Sequence, residues 1–109
     1  ELYKLIENNN YYYFTINDDI DEYKFEYYNG NKRWYKNNKR HREDGPAVEW
    51  SEGSKYWYKY GLLHREDGPA VECANGSKYW YKDGKLYRED NRPVIELANG
   101  DKYWYKDGL

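Results

Sequence analysis

The sequence is poor in the residues from which hydrophobic cores are usually built. Its 109 residues include no Met, two Phe, seven Leu, four Ile and three Val. So small an aliphatic fraction is typical of disordered chains when the net charge is high, but the formal net charge here is only −2. The apolar surface is supplied by 16 Tyr and five Trp, whose rings pack while their polar atoms stay hydrated. We therefore expect one small, thin, aromatic-rich domain.

Further scarcities exclude classes of function. The single cysteine, Cys73, excludes a disulfide framework and a cysteine-based zinc site within these residues. Lys and Arg number 18 and Asp and Glu 20, with both signs interleaved, so no field of one sign favours nucleic acid or an anionic membrane. No apolar run approaches the roughly 20 residues that span a bilayer, and no signal-peptide core is visible. We expect a soluble protein and leave its compartment open.

A cassette of about 23 residues recurs along the chain. Trp34, Trp57, Trp80 and Trp104 follow one another at intervals of 23, 23 and 24 residues. The three prolines keep the same spacing, and the extra residue falls in the loop before Pro93. Such a period indicates a repeat architecture, in which each unit buries its apolar side against the next. The expected units are 23–45, 46–68, 69–92 and 93–109, preceded by a degenerate segment or cap at 1–22.

Turn signals divide each unit into short runs of alternating polarity. Asn75-Gly76 predicts a two-residue type I′ hairpin, because both central residues of that turn need positive φ. In this register Val71 lies opposite Trp80, and Glu72 lies opposite Tyr79. The same turn is expected at Asn29-Gly30, Glu52-Gly53 and Asn99-Gly100.

A second turn signal, Tyr60-Gly61 or Asp83-Gly84, follows each Tyr-Trp-Tyr-Lys run. We expect two full strands per unit, with the His-Arg-Glu-Asp-Gly-Pro segment as a loop or short third strand folded back over the sheet. Regular Gly, Pro and Asn leave no window for an amphipathic helix except at residues 2–6. The predicted fold class is all-β, with tandem β-hairpins of 23 residues stacked into an elongated antiparallel sheet.

Side-chain alternation assigns the two faces of the hairpins. One face is the predicted core, which comprises Val48, Trp57, Val71, Trp80, Ile95 and Trp104. The other face combines tyrosines with a row of glutamates, and loop arginines lie beside it. This candidate interaction surface comprises Tyr56, Tyr58, Tyr79, Tyr81, Tyr103, Tyr105, Glu49, Glu72, Glu96, Arg65 and Arg88.

Residues 57–79 carry a string that runs from Trp-Tyr-Lys through His-Arg-Glu-Asp-Gly-Pro-Ala-Val-Glu to Asn-Gly-Ser-Lys-Tyr, and residues 34–56 and 80–103 carry looser copies. In this respect the chain from about residue 24 onwards resembles MORN-type repeats, in the variant form found in arrays of large DNA viruses, phages and bacteria. The first unit departs from the pattern because it lacks the Gly-Pro element. The resemblance implies stacked hairpins that serve as scaffolds, spacers or partner-binding surfaces.

The candidate catalytic residues occur in copies, whereas a catalytic constellation is normally unique. His41 and His64 recur at the repeat spacing, and Tyr87 takes the third position. We expect both histidines to pack against tryptophans, and Cys73 to fill the core. Each loop offers one Glu and one Asp, too few oxygens for calcium, and we interpret the Asp as a turn residue and the Glu as a partner of the adjacent arginine. No enzymatic activity, metal or cofactor is expected.

Three readings of function stay open from the sequence. The first is a structural module that pairs through an edge strand, such as residues 102–106, with itself, with a longer repeat array or with another protein. The second is an antitoxin or immunity-type binding module, since some bacterial MORN-like proteins are grouped with toxin partners. The third is a glycan-binding groove along the tyrosine row. Single-stranded nucleic acid is disfavoured, because glutamates lie among the tyrosines.

Overall fold

The computed structural model describes the backbone of Leu2–Glu7 and Asn10–Ile16 and the whole of residues 21–105. Every regular element in these ranges is a β-strand, so the predicted all-β class is confirmed, and none of the described residues forms a helix that could cross a membrane. The strands are β1 (Leu2–Glu7), β2 (Asn10–Ile16), β3 (Glu22–Tyr28), β4 (Asn31–Lys36), β5 (Lys39–Arg40), β6 (Val48–Glu49), β7 (Lys55–Tyr56), β8 (Tyr58–Lys59), β9 (Leu62–Leu63), β10 (Val71–Glu72), β11 (Lys78–Tyr79), β12 (Tyr81–Lys82), β13 (Lys85–Leu86), β14 (Ile95–Glu96) and β15 (Lys102–Tyr103).

One long antiparallel sheet runs through the molecule. Its strands follow the order β1-β2-β3-β4-β6-β7-β10-β11-β14-β15, and β5 pairs with β4 at the side. The hairpins β8-β9 and β12-β13 form separate two-stranded sheets. The overall extents are 45 × 31 × 19 Å, which agrees with an elongated hairpin array. Residues 2–6 lie in the first strand of the sheet, so the alternative of a helix there is wrong.

Two-residue turns close the hairpins where both central residues have positive φ. Asn29 and Gly30 have φ of 48° and 85°, and Tyr28 pairs directly with Asn31, as the sequence predicted. This is the signature of a type I′ turn, whose twist matches that of the flanking strands. The same pattern of positive φ closes the hairpins at Asn37-Asn38, Tyr60-Gly61 and Asp83-Gly84.

The turns at Glu52-Gly53, Asn75-Gly76 and Asn99-Gly100 differ from the prediction. At Asn75-Gly76 only the glycine has positive φ, 98°, and the N–H of Cys73 donates to the carbonyl of Ser77, so the loop holds three residues. The Asn75 side chain accepts the N–H of Ser77 at 2.9 Å, which favours this wider loop. The predicted register is therefore wrong by one residue: Val71 lies opposite Tyr79, and Glu72 lies opposite Lys78.

The corrected register sorts the side chains of the sheet into two rows. In one row the aliphatic residues of β6, β10 and β14 alternate with tyrosines of β7, β11 and β15. In the other row acidic and basic residues alternate without exception, which is favourable for directly opposed side chains. The first row is Val48, Tyr56, Val71, Tyr79, Ile95 and Tyr103, and the second is Lys32, Glu49, Lys55, Glu72, Lys78, Glu96 and Lys102.

The core consists of small residues that precede or occupy the short strands. The fully buried apolar residues are Ala47, Val48, Ala70, Val71 and Val94, and the buried polar residues are His41, Ser54 and Ser77. Of the predicted core, Val48 and Val71 are buried, Trp57, Trp80 and Ile95 are half-buried, and Trp104 is 56% exposed. The tryptophan rings thus line the core rather than fill it, and Trp104 lies outside it.

Candidate functional site

An arginine in each His-Arg-Glu-Asp-Gly-Pro loop holds the end of one unit against the start of the next. The Cζ atom of Arg65 lies 3.8 Å from the ring centroid of Trp57. Its Nη1 donates to the Pro69 carbonyl at 3.0 Å and to Glu72 at 2.7 Å, and its Nε donates to Asp67 at 3.1 Å. A cation over an indole face and charge-assisted hydrogen bonds stabilise the same guanidinium from several sides. We call this set of contacts the arginine clasp.

The arginine clasp recurs in the units before and after. Arg42 stacks on its tryptophan at 3.8 Å and bonds Glu49 at 3.1 Å, and Arg88 stacks at 3.8 Å and bonds Glu96 at 2.8 Å. The stacked rings are Trp34 and Trp80. Each arginine follows its tryptophan by eight residues, and this constant spacing is a sequence signal from which the stacking could have been predicted. The arginines and glutamates of the candidate interaction surface are therefore engaged with one another across the boundaries between units.

The Gly-Pro step of the loop makes room for the clasp. A Cβ atom on Gly68 would lie 2.9 Å from Cζ of Arg65, closer than real Cβ atoms approach other heavy atoms, and a Cβ on Gly45 would lie 3.0 Å from Cζ of Arg42. The third loop lacks this glycine and instead passes through Asp90 and Asn91, with φ of 63° and 56°. The extra residue of the third unit thus lets the chain pass around the arginine where no glycine is present.

Each histidine links its own unit to the next one. The Nδ1 of His41 accepts the backbone N–H of Tyr60 at 3.0 Å, and its Nε2 lies 2.7 Å from Glu43. His64 repeats both contacts, with the N–H of Asp83 at 3.0 Å and with Glu66 at 2.7 Å. These hydrogen bonds hold the pKa values of the two glutamates below their ordinary value.

The predicted partners of these loop residues are corrected accordingly. The arginines, not the histidines, stack on the tryptophans; His41 instead contacts the ring of Tyr60, with centroids 4.4 Å apart. Glu43 and Glu66 bond the histidines, whereas Asp44 and Asp67 bond the arginines, so the predicted pairing of the loop glutamates with the arginines is wrong.

A second link between units lies at the opposite ends of the hairpins. The Oγ of Ser54 accepts the N–H of Ala74 at 2.9 Å, and the Oγ of Ser77 accepts the N–H of Ala98 at 2.9 Å. Both serines are buried, so these hydrogen bonds satisfy hydroxyl oxygens that water reaches poorly. Between units 46–68 and 69–92 both kinds of link are present, through His64 and through Ser54, so this joint is held at both ends of the hairpins.

The tyrosines of the candidate interaction surface do not form one uniform exposed face. Tyr56, Tyr58, Tyr79 and Tyr81 are half-buried, whereas Tyr103 and Tyr105 are 49% and 44% exposed. Burial raises the pKa of Tyr56 and of Tyr81. The most accessible aromatic surface of this set lies at the last strand of the sheet.

Two open grooves lie between successive loops, and their chemistry is mixed. The groove of about 670 Å³ has Trp57, Tyr58 and Lys59 as its floor, and the equivalent groove one unit later, of about 460 Å³, has Trp80, Tyr81 and Lys82. The charged rims are formed by the clasp loops. In the described part of the chain no three His, Cys, Asp or Glu side chains are grouped to hold a metal ion.

Cys73 is half-buried next to the Asn75-Gly76 turn. Burial raises the pKa of its thiol, and the charge of Glu52 adds to this effect. A raised pKa lowers the fraction of reactive thiolate, which disfavours a role as nucleophile.

The last strand exposes three consecutive aromatic residues, of which Trp104 is 56% exposed. The indole Nε1 of Trp104 donates to the Asn91 carbonyl at 3.1 Å, which fixes the ring. Within residues 21–105 no guanidinium stacks on this ring, in contrast to the three preceding tryptophans of the repeat. The end of the described array therefore presents a tryptophan in the clasp position without its arginine.

Comparisons with protein-family models, with curated proteins and with solved structures find no match to this chain. The MORN-type resemblance thus stays a prediction from the sequence.

Proposed function

We propose that the chain is a non-enzymatic structural module that self-associates or binds protein through its last strand and the aromatic residues beside it. The observation that carries this proposal is that, among the described residues, no further strand pairs with the outer side of Lys102 and Tyr103 and no arginine stacks on Trp104. In the preceding units the corresponding residues are covered by the next strand and by an arginine clasp. An edge strand of this kind offers main-chain donors and acceptors to an additional strand.

The backbone geometry identifies the donor that faces outwards. The N–H groups of Trp34, Trp57 and Trp80 donate to carbonyls of the following strand region at 2.8, 2.7 and 2.8 Å. By the same register the N–H of Trp104 points away from the sheet, towards any strand that pairs there. Trp104, rather than Tyr103, is thus the position at which proline removes the outward donor.

Sedimentation velocity over a concentration series tests the proposal. We expect concentration-dependent assembly of the 109-residue chain and its loss in Trp104→Pro. Tyr28→Ser is the matched control, since Tyr28 is 45% exposed but lies at the Asn29-Gly30 turn, so assembly should persist. Equal assembly of all three proteins would refute edge pairing, and a strictly monomeric chain that forms a one-to-one complex would favour the antitoxin or immunity reading.

A further inference from the structure

We infer that the last strand selects an incoming segment of defined chemistry: an arginine-bearing loop that ends in proline and leads into a Val-Glu or Ile-Glu strand. This inference rests on the proposed function and deepens it, because it names the partner that the edge strand recognises. The occupant is a further segment with the chemistry of residues 41–49, from outside the array described above.

The receiving surface is the same at three places in the chain. Lys, Tyr and Trp occur in this order at residues 55–57, 78–80 and 102–104. The first two triplets are already occupied, so they display what such a triplet binds. The third lies at the edge of the sheet, with Tyr103 and Trp104 exposed.

At the first triplet each residue has its own complement in the following segment. Lys55 lies opposite Glu72 in the sheet, and Tyr56 lies opposite Val71. The N–H of Trp57 donates to a carbonyl of the same segment at 2.7 Å, and the ring of Trp57 receives Arg65 at 3.8 Å. One segment thus supplies a carboxylate for the lysine, an apolar side chain for the tyrosine, and a carbonyl and a guanidinium for the tryptophan.

The second triplet binds its segment in the same way. Lys78 lies opposite Glu96 and Tyr79 lies opposite Ile95. Trp80 donates its N–H to the Val94 carbonyl at 2.8 Å, and its ring receives an arginine at 3.8 Å. The two bound segments differ in that the second has isoleucine in place of valine and one extra loop residue. Both segments contain the arginine and the glutamate.

The third triplet offers these same four features. Lys102 ends the row of alternating charges, so a carboxylate opposite it would continue the row. Tyr103 ends the row of alternating aliphatic and tyrosine side chains. The ring of Trp104 is held in place by the Asn91 carbonyl, so it is oriented before the partner arrives, which reduces the entropic cost of binding.

The three arginines that form clasps in the described array are not free to supply this contact. Arg42, Arg65 and Arg88 are each already seated on a tryptophan. A folded second copy that pairs with the edge therefore brings no clasp arginine to Trp104, whereas an unpaired segment of the cassette supplies both the arginine and the glutamate. We expect such a segment to displace a second copy from the edge.

A synthetic peptide of residues 41–49 tests this inference on the intact ¹⁵N-labelled chain. The readout is the indole N–H signal of Trp104 in NMR spectra, assigned with Trp104→Phe. We expect a saturable shift of this signal and dissolution of any assembly seen by sedimentation. Two matched peptides carry Arg42→Ala or Glu49→Lys. The Arg42→Ala peptide should bind at least about fivefold more weakly, the factor equivalent to the roughly 1 kcal/mol of a cation–π contact. The Glu49→Lys peptide should also bind more weakly, because it places a like charge opposite Lys102.

Two outcomes would overturn the inference: no saturable shift at millimolar peptide, or equal binding of the wild-type and Arg42→Ala peptides. These results are distinguishable from failure of the proposed function. Assembly that is lost in Trp104→Pro but indifferent to the peptides would leave edge pairing intact and remove the arginine specificity. Peptide binding that depends on Arg42, by a chain that never self-associates, would keep the arginine specificity and exclude self-association.

Discussion

Removal of one arginine clasp should destabilise the fold far more than removal of an ordinary surface arginine. In Arg65→Ala the ring of Trp57 loses a cation at 3.8 Å, a contact that contributes about 1 kcal/mol. Glu72 loses a charge-assisted bond of 2.7 Å while about a third of its side chain is exposed, which costs about 2 kcal/mol. We expect the free energy of unfolding to fall by about 3 kcal/mol in total, measured by urea denaturation with tryptophan fluorescence and circular dichroism.

Arg92→Ala is the matched control for this measurement. The Arg92 side chain is 52% exposed, and its nitrogen lies 3.6 Å from Asp90, so its removal should cost less than about 1 kcal/mol. Arg65→Lys should fall between the two, since lysine keeps the charge but not the planar fork that reaches Asp67, Pro69 and Glu72 together. The clasp argument is refuted if Arg65→Ala destabilises no more than Arg92→Ala does.

Three further results are expected. Gly68→Ala should lower the free energy of unfolding of the wild-type chain by about 1 to 3 kcal/mol, because the new Cβ meets Cζ of Arg65 at 2.9 Å. The same substitution should have little effect in the Arg65→Ala variant, and equal effects in the two backgrounds of this double-mutant cycle would contradict the steric explanation. Acidification should lower the free energy of unfolding as the pH falls below about 4.3, because the folded-state pKa values of Glu43 and Glu66 are depressed and their contribution, complete above the unfolded-state pKa, disappears as they bind protons. The double variant Glu43→Gln and Glu66→Gln should lose part of this acid dependence, and an unchanged slope of stability against pH would exclude these carboxyls as its source. Cys73 should react with iodoacetamide at pH 8 more slowly in the folded chain than in urea, because burial raises the pKa of its thiol, and equal rates would contradict this.

The recurring spacing was enough to predict an all-β hairpin array, because the positions of Trp and Gly-Pro leave little choice of element. The turn at Asn29-Gly30 was also predictable, since both residues adopt positive φ there. The same dipeptide at Asn75-Gly76 forms a wider loop, because the Asn75 side chain bonds the N–H of Ser77. Local propensity favours both conformations of Asn-Gly, and the hydrogen bonds of the side chain decide between them.

That one-residue difference explains why the candidate interaction surface was only partly predictable. In the expected register Glu72 lay opposite Tyr79, which suggested an open amphipathic face. In the structure Glu72 lies between lysines of the two neighbouring strands and also bonds Arg65. The exposure of Trp104 could not be derived from its position in the repeat. Exposure depends on whether a further strand and its arginine cover the tryptophan, and the spacing does not show this.

The histidine links make the first two joints between units separately observable. A backbone N–H can only donate, so the contact from Tyr60 requires Nδ1 of His41 to be unprotonated, and the proton of the neutral ring then lies on Nε2, facing Glu43. His64 carries the same tautomer for the same reason. When a joint separates, its imidazole is released from this constraint and can exchange between tautomers. Two nitrogen spectra, one per ring, would therefore report the order in which the array comes apart.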